Sequence, residues 1–238
     1  LSLKGPAQQI FGAFKGYLSQ VSLGVEPIAP SNLSFQWNQR SLKGKGNFFG
    51  NQLAAQIEVP FEKNSPALMY FKAKEWNFLP LLALVFKNER QWDYKSSMSG
   101  LLELRSPAGG FWKSTGQGTI DTISIQRGPI SLATENPWKM IFDSGEMSSN
   151  LLSFKGNNAF FKLMINKSTR ENLNISTSGK IDMSLLSLAT PFFSEIRGNM
   201  TLSLKAQGSI DNPKTLGSMY VENGLIKFPG FPHSFQNI

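Results

Sequence analysis

Side chains suited to catalysis are scarce in this sequence, and they form no known catalytic pattern. His233, in FPHSF, is the only histidine. A Ser-His-Asp triad needs a histidine beside a serine nucleophile and a carboxylate. The G-x-S-x-G motif that presents such a serine on a sharp turn is absent from the sequence. We therefore interpret His233 as a loop or strand-edge residue, and we expect no catalytic site and no enzymatic activity.

Metal and cofactor ligands are equally sparse. One histidine excludes a histidine cluster, and the absence of cysteine excludes thiolate metal sites and disulfides. The 16 Asp and Glu residues are scattered, and no pair stands out as the two carboxylates of a glycosidase. The stretch GGFWKSTGQG (109–118) lacks the phosphate-loop spacing G-x-x-x-x-G-K-S/T and favours a hairpin turn. The sequence therefore predicts no metal site and no cofactor.

Aromatic and basic residues leave two kinds of binding to consider. The tryptophans could form a platform for sugar rings, although filling the apolar side of a sheet explains them more simply: Trp37, Trp76, Trp92, Trp112 and Trp138. The net charge of +8 favours polyanions such as nucleic acid, anionic lipid headgroups or lipopolysaccharide phosphates. The charges are dispersed, with no run of five or more Lys or Arg. We therefore expect no nucleic-acid partner.

Strict alternation of apolar and polar residues dominates the chain and predicts β-strands. The longest example is LNISTSGKIDMSLL (173–186), in which Thr177 and Gly179 interrupt the apolar parity. We predict about a dozen antiparallel strands in one sheet. Thr177 and Gly179 predict a bend, a bulge or space for a guest. Asn223-Gly224 predicts a hairpin turn, because both residues tolerate positive φ.

Two apolar segments, 76–86 and 184–196, lack this alternation and predict short helical connectors. Each precedes a series of strands, which suggests a degenerate repeat over 76–175 and an incomplete second copy over 184–238. We predict a single domain over 1–238 and expect it to be an internal segment of a longer protein. The longest apolar run, FLPLLALVF (78–86), is far shorter than the roughly 20 residues of a membrane-spanning helix.

A sheet of this size with one apolar face has to cover that face. It can close into a barrel around a side-chain core, fold over as a sandwich, or curl into an open trough. An outer-membrane barrel would instead turn the apolar face to lipid. Burial of each large apolar side chain contributes about 1.5–3 kcal/mol. An open trough would therefore need an apolar guest, for which acyl chains are suited.

Residues 179–238 resemble the TamB family of bacterial envelope proteins (translocation and assembly module), which are AsmA-like bridge-type lipid transfer proteins. The resemblance rests on an alternating strand, a short apolar connector and a recurrent phrase, Gly-x-Ile/Leu-x-Asn-Pro-x-x-x-Gly, followed by Asn-Gly and Pro-Gly. The phrase is carried by Gly208, Ile210, Asn212, Pro213, Gly217, Asn223, Gly224, Pro229 and Gly230. Residues 98–165 show the same style more loosely.

The resemblance implies an all-β fold, a long antiparallel sheet curled into an open U-shaped trough (a β-taco) with a hydrophobic interior. It also implies a periplasmic segment of a protein that is anchored in the inner membrane of a Gram-negative bacterium and reaches the outer membrane. The implied partner there is a BamA-like barrel of the TamA class. The implied roles are phospholipid transport between the membranes and assembly of outer-membrane proteins such as autotransporters, a form of protein secretion.

The alternation selects the residues that would line such a trough and contact phospholipid acyl chains. They are Leu53, Ile57, Val59, Ala159, Phe161, Leu163, Ile165, Leu173, Ile175, Ile181, Met183, Met200, Leu202, Leu204, Met219, Val221, Ile226 and Phe228. Two alternatives stay open. The first is a chaperone-like scaffold whose sheet edges bind nascent outer-membrane proteins. The second is a carbohydrate-binding β-sandwich that uses the tryptophans.

Overall fold

A computed structural model of the protein describes residues 11–23, 26–78, 94–107, 113–127, 130–156, 159–184, 195–228 and 235–236, and these residues contain eighteen strands. They are β1 (Gly12–Leu18), β2 (Val21–Leu23), β3 (Glu26–Ile28), β4 (Ser31–Trp37), β5 (Ser41–Phe48), β6 (Leu53–Pro60), β7 (Ala67–Trp76), β8 (Tyr94–Ser106), β9 (Thr115–Arg127), β10 (Ile130–Thr134), β11 (Trp138–Asp143), β12 (Glu146–Ser149), β13 (Leu152–Gly156), β14 (Ala159–Ile165), β15 (Leu173–Asp182), β16 (Glu195–Gly208), β17 (Lys214–Lys227) and β18 (Phe235–Gln236). No α-helix occurs among these residues.

Sixteen of the strands form one antiparallel sheet, and β2 and β3 form a separate two-stranded sheet. The main sheet is an up-and-down meander in which β1 pairs with β4 and most later strands pair with their neighbours along the chain, and β10 to β13 depart from this order. Its hydrogen-bonded path begins at β1 and ends at β18, so the sheet is not closed into a barrel. The prediction of an all-β protein built on one large antiparallel sheet is confirmed, with more strands than the dozen expected.

At two positions in the sheet, a pair of short strands takes the place of one long strand. The first half of β9 pairs with β11 and its second half pairs with β10. On the far side of these two short strands, β12 pairs with β11 and β13 pairs with β10. Pro137 lies between β10 and β11, and it has no N–H to donate to a neighbouring strand. Asn150 lies in the gap between β12 and β13, and its side chain bonds to the gap between β10 and β11. It donates to the Pro137 carbonyl at 3.0 Å and accepts from the Lys139 N–H at 2.7 Å.

The hairpin predicted at Asn223-Gly224 is wrong. Both residues lie inside the continuous strand β17, where the register with β16 shifts between Arg197 and Asn199. Asn223 has a φ of 52°, the left-handed conformation that a bulge requires as much as a tight turn does. The same sequence signal thus marks an extra residue within a strand.

The predicted helical connectors fall mostly on residues 79–93 and 185–194, outside the described part of the chain. Of their flanks, Trp76 ends β7 and Ile196 lies in β16. Strands from both arms of the predicted repeat belong to the same sheet, and the repeat itself stays a prediction. Within the described residues, no helix has the length and apolar character needed to cross a membrane.

Candidate functional site

The strand register divides the main sheet into two chemically different faces. Directly opposed residues of antiparallel strands point to the same face, so one face can be followed from strand to strand. We call the face that holds Phe35, Ile57 and Leu202 the apolar face, and its opposite the polar face. The register places every predicted lining residue that lies in a strand on the apolar face. Met183 and Phe228 lie just beyond the ends of β15 and β17.

Charged residues occupy the other face. Among the paired residues of the main sheet, every Lys, Arg, Asp and Glu lies on the polar face except Arg127, near the end of β9. Some of these charges pair across strands, as in the 2.9 Å salt bridge between Lys43 and Glu58. One face is therefore suited to water and the other to apolar contacts.

Burial follows the same division. The buried apolar residues within strands all lie on the apolar face: Ala73, Trp76, Leu104, Leu152, Ala159, Ile165, Ile196, Met200 and Leu202. Yet no large side chain in the described part is less than 2% exposed, and most residues of the apolar face are half-buried. The apolar face is therefore only partly shielded from water by protein, and it forms no sealed core among the described residues.

The tightest packing on this face is local. Met183, Ile196, Met200 and Leu202 form a buried cluster. Half-buried residues that surround it are Phe161, Ile181, Leu204, Val221 and Ile226. Three predicted lining residues, Met183, Met200 and Leu202, are therefore covered by protein side chains. Elsewhere on the face, buried residues such as Leu104 and Leu152 occur together with exposed ones such as Phe14 and Phe71.

Sequence reasoning missed the part of the apolar face formed by β5. Glycines interrupt the alternation there, and aromatic rings from positions close by occupy the space above them. A Cβ added at Gly44 would lie 2.7 Å from the Phe35 ring, and one added at Gly46 would lie 2.5 Å from the Phe48 ring. The rings cover these glycines, so the apolar surface continues across a strand that contains few apolar residues.

The small residues Thr177 and Gly179 have local structural reasons. The Thr177 hydroxyl donates to the Lys162 carbonyl of the adjacent strand at 2.9 Å, so its polar atom is satisfied on the apolar face. A Cβ at Gly179 would lie 2.5 Å from the Phe160 carbonyl oxygen, because β14 approaches closely. The register of β15 with both neighbours is unbroken at these positions, so the predicted bulge is wrong, whereas the bend and the space for a guest stay predictions.

Gly179→Ala is expected to lower the free energy of unfolding by about 1–3 kcal/mol, since the added methyl meets backbone rather than a movable side chain. Gly16→Ala is the matched control, because the nearest atom to its new methyl would be a Phe14 ring carbon at 3.2 Å, and that ring is exposed. Urea unfolding of both variants measures the difference. Equal stabilities would contradict the close approach of β14 to β15.

The other predicted features give no second site in the described residues. No group of three or more His, Cys, Asp or Glu residues suited to a metal ion occurs there. Trp37 covers Gly12, and buried Trp76 packs on Phe49 with 5.7 Å between ring centroids. These two rings contact other residues of the sheet, and the sugar platform stays a prediction. Trp138 begins β11 and is directly opposed to Ile120 on the apolar face. Trp92, Trp112 and His233 lie outside the described residues.

Comparisons with known proteins add no relative to this picture. No family model, no curated protein and no solved structure matches the chain. The resemblance of residues 179–238 to the TamB family therefore stays a prediction that rests on the motif residues. Any functional proposal depends on the geometry of the two faces.

Proposed function

We propose that the chain is a non-enzymatic, lipid-carrying segment of a bacterial envelope protein, in which the apolar face solvates phospholipid acyl chains. The observation that carries this proposal is the division of one open sheet into a charged face and an apolar face, with no sealed core among the described residues. An apolar surface of this extent is costly to leave in water, at about 25 cal/mol for each Å². Acyl chains remove that cost and can move along the surface.

A continuous apolar path supports movement rather than a single fixed site. One row of directly opposed residues crosses eight strands without a polar side chain: Phe35, Gly44, Ile57, Met69, Leu104, Gly116, Phe142 and Met147. At about 4.8 Å between strands, this row extends roughly 30 Å. A chain sliding along it would exchange one apolar contact for another, with no charged residue to desolvate.

The envelope setting is part of the same proposal and comes from the resemblance to TamB. In it, the sheet curls into a U-shaped trough that turns its polar face to the periplasm. The protein is anchored in the inner membrane and meets a TamA-class barrel at the outer membrane. The transported cargo is phospholipid, and assembly of outer-membrane proteins is a second task of the same trough.

Phospholipid is expected to co-purify with the protein and to be identified by native mass spectrometry and by organic extraction. Delipidated protein should take up phospholipid again from vesicles, since the apolar face regains its cover. A folded protein that carries no lipid and takes up none would contradict the proposal. Far-UV circular dichroism before and after delipidation controls for loss of the sheet.

A scaffold for nascent outer-membrane proteins is the second candidate, and the edge of β17 favours it. In the described part, β18 pairs only with Leu225 and Ile226, which leaves the outer edge over 214–221 without a partner strand. Leu216, Met219 and Tyr220 on this edge strand are more than 60% exposed. An unpaired edge of this kind can accept an added strand.

Site-specific photocrosslinking separates the two candidates. A photoreactive residue in place of Leu216 samples the edge, and one in place of Phe71 samples the apolar face. Lipid transport predicts lipid adducts at position 71. The scaffold predicts adducts to unfolded outer-membrane protein at position 216, without lipid at position 71.

A further inference from the structure

A basic depression lies on the polar face, opposite to the proposed acyl-chain surface. It occupies about 440 Å³ over β14 to β17. The polar residues of its lining that belong to the polar face are Lys162, Lys205, Ser176, Ser178 and Ser203. None of its lining residues is acidic: Leu151, Lys162, Ser176, Thr177, Ser178, Ser203, Leu204, Lys205, Leu216 and Gly217. We call this surface the basic depression. Its donors point to a ligand with oxygen acceptors and negative charge.

The register places the two lysines on either side of the serines. Lys162 on β14 is directly opposed to Ser178 on β15, and Ser178 is opposed to Ser203 on β16. Ser176, two residues from Ser178, is opposed to Lys205 on β16. The lysines are therefore two strands apart, about 10 Å at the usual strand spacing. Long lysine side chains can converge over the hydroxyls between them.

These groups are not used within the described structure. Lys162 and Lys205 make no ion pair with a described carboxylate, whereas Lys180 in the neighbouring row pairs with Glu222 at 3.4 Å. The hydroxyls of Ser176, Ser178 and Ser203 likewise bond to no described group. Uncompensated positive charge and free donors attract phosphate oxygens.

Exposed apolar side chains lie around the basic depression on the same face. Leu216, in its lining, is 63% exposed, and Tyr220, two positions further along that face of β17, is 64% exposed. Phe160 on β14 is 46% exposed and lies in the same cross-strand row as Tyr220. Lysines beside exposed aromatic and aliphatic residues suit the interface between lipid headgroups and acyl chains.

We propose that the basic depression and its apolar surroundings dock the protein onto the surface of a membrane that contains anionic phospholipid. Lys162, Lys205 and the serine hydroxyls bind headgroup phosphates, while Leu216, Tyr220 and Phe160 enter the interface. A free phosphate would use the basic groups alone, so the apolar side chains favour the membrane surface. This proposal concerns the polar face and does not depend on lipid carriage by the apolar face.

Flotation of the full chain with vesicles tests the proposal. Binding is expected to vesicles of phosphatidylglycerol mixed with phosphatidylcholine, and to weaken strongly with vesicles of phosphatidylcholine alone or at high salt. The variant Lys162→Gln/Lys205→Gln is expected to bind the mixed vesicles roughly 30-fold more weakly, from two charges near an anionic surface. The variant Leu216→Ser/Tyr220→Ser is expected to bind more weakly at any salt concentration.

The control Lys72→Gln/Lys139→Gln makes the same change of net charge on the polar face of β7 and β11, outside the basic depression. It is expected to bind within about threefold of the unaltered protein if the lysine positions matter. Equal losses in the two lysine variants would overturn the proposal, since only net charge would then count. Full displacement by inorganic phosphate, at an ionic strength matched with chloride, would also overturn it in favour of a free-phosphate site.

Discussion

Phospholipid recovered with the purified protein is expected to fall at least tenfold in Phe71→Arg and to stay unchanged in Leu68→Arg. Both residues lie on β7, and their exposures are similar, 38% for Phe71 and 41% for Leu68. They differ in the face they occupy. Phe71 is opposed to Ala55 and Leu102 on the apolar face, and Leu68 is opposed to Glu58 and Arg105 on the polar face.

The size of this effect comes from the cost of a guanidinium group among acyl chains. An arginine on the lipid-facing side of a sheet costs about 2–4 kcal/mol at the centre of a bilayer, which exceeds a tenfold change in affinity. At Leu68 the same group joins an already charged face and stays in water. Because both positions are about 40% exposed, neither substitution buries a charge within the protein.

Phe71→Leu supplies the conservative variant, since it keeps an apolar side chain and should retain most of the lipid. Circular dichroism and urea unfolding of the three variants check that the sheet persists. Equal lipid loss in Phe71→Arg and Leu68→Arg would show that added charge, rather than its face, lowers lipid binding. Full retention in Phe71→Arg would remove the apolar face as the lipid site.

The two faces could be predicted from the sequence because side chains alternate with a period of two, and antiparallel pairing preserves that alternation from strand to strand. This is why Leu173, Ile175 and Ile181 on β15 share a face with Leu202 on β16. No knowledge of the strand order is needed for that result. Prediction of one antiparallel sheet followed from the same property, together with short connections.

Turns and bulges could not be told apart from the sequence, because both can require the same backbone conformation. Asn223-Gly224 satisfies the positive φ of a hairpin turn and of a bulge equally well, and only pairing with β16 decides between them. On β5, Gly44 and Gly46 look like breaks in the alternation. They are compatible with an apolar face because rings cover them: Phe35 covers Gly44 from the neighbouring strand, and Phe48 covers Gly46 from two positions along the same strand. Neither contact can be read from the alternation of residue types.

Which residues of the apolar face are packed and which are open also depends on contacts that alternation does not encode. Met200 and Met219 both belong to the apolar parity of neighbouring strands. Met200 is 6% exposed because it packs with Met183 and Ile196, whereas Met219 is 64% exposed. The alternation determines which face a residue occupies, and tertiary contacts determine how far its side chain is buried.

Leu202→Ala is expected to lower the free energy of unfolding by about 2–5 kcal/mol, while Met219→Ala is expected to change it by less than about 0.5 kcal/mol. The two residues are directly opposed on β16 and β17 and share the apolar face. Leu202 belongs to the buried cluster and is 8% exposed, so its truncation leaves a cavity among Met183, Ile196 and Met200. Met219 has little protein contact to lose. Urea unfolding of delipidated protein measures both values.

The comparison also tests whether the apolar face is open. If Met219→Ala destabilised the delipidated protein as much as Leu202→Ala does, Met219 would have to be packed against protein in solution. The face would then be closed at β17, and acyl chains would lose access to it there. A small effect of Met219→Ala without lipid, together with weaker protection of that variant by added phospholipid, is the result expected of a surface that lipid covers. In that case, lipid that binds the folded protein adds to stability according to its concentration and its affinity, and loss of the Met219 contact lowers that affinity.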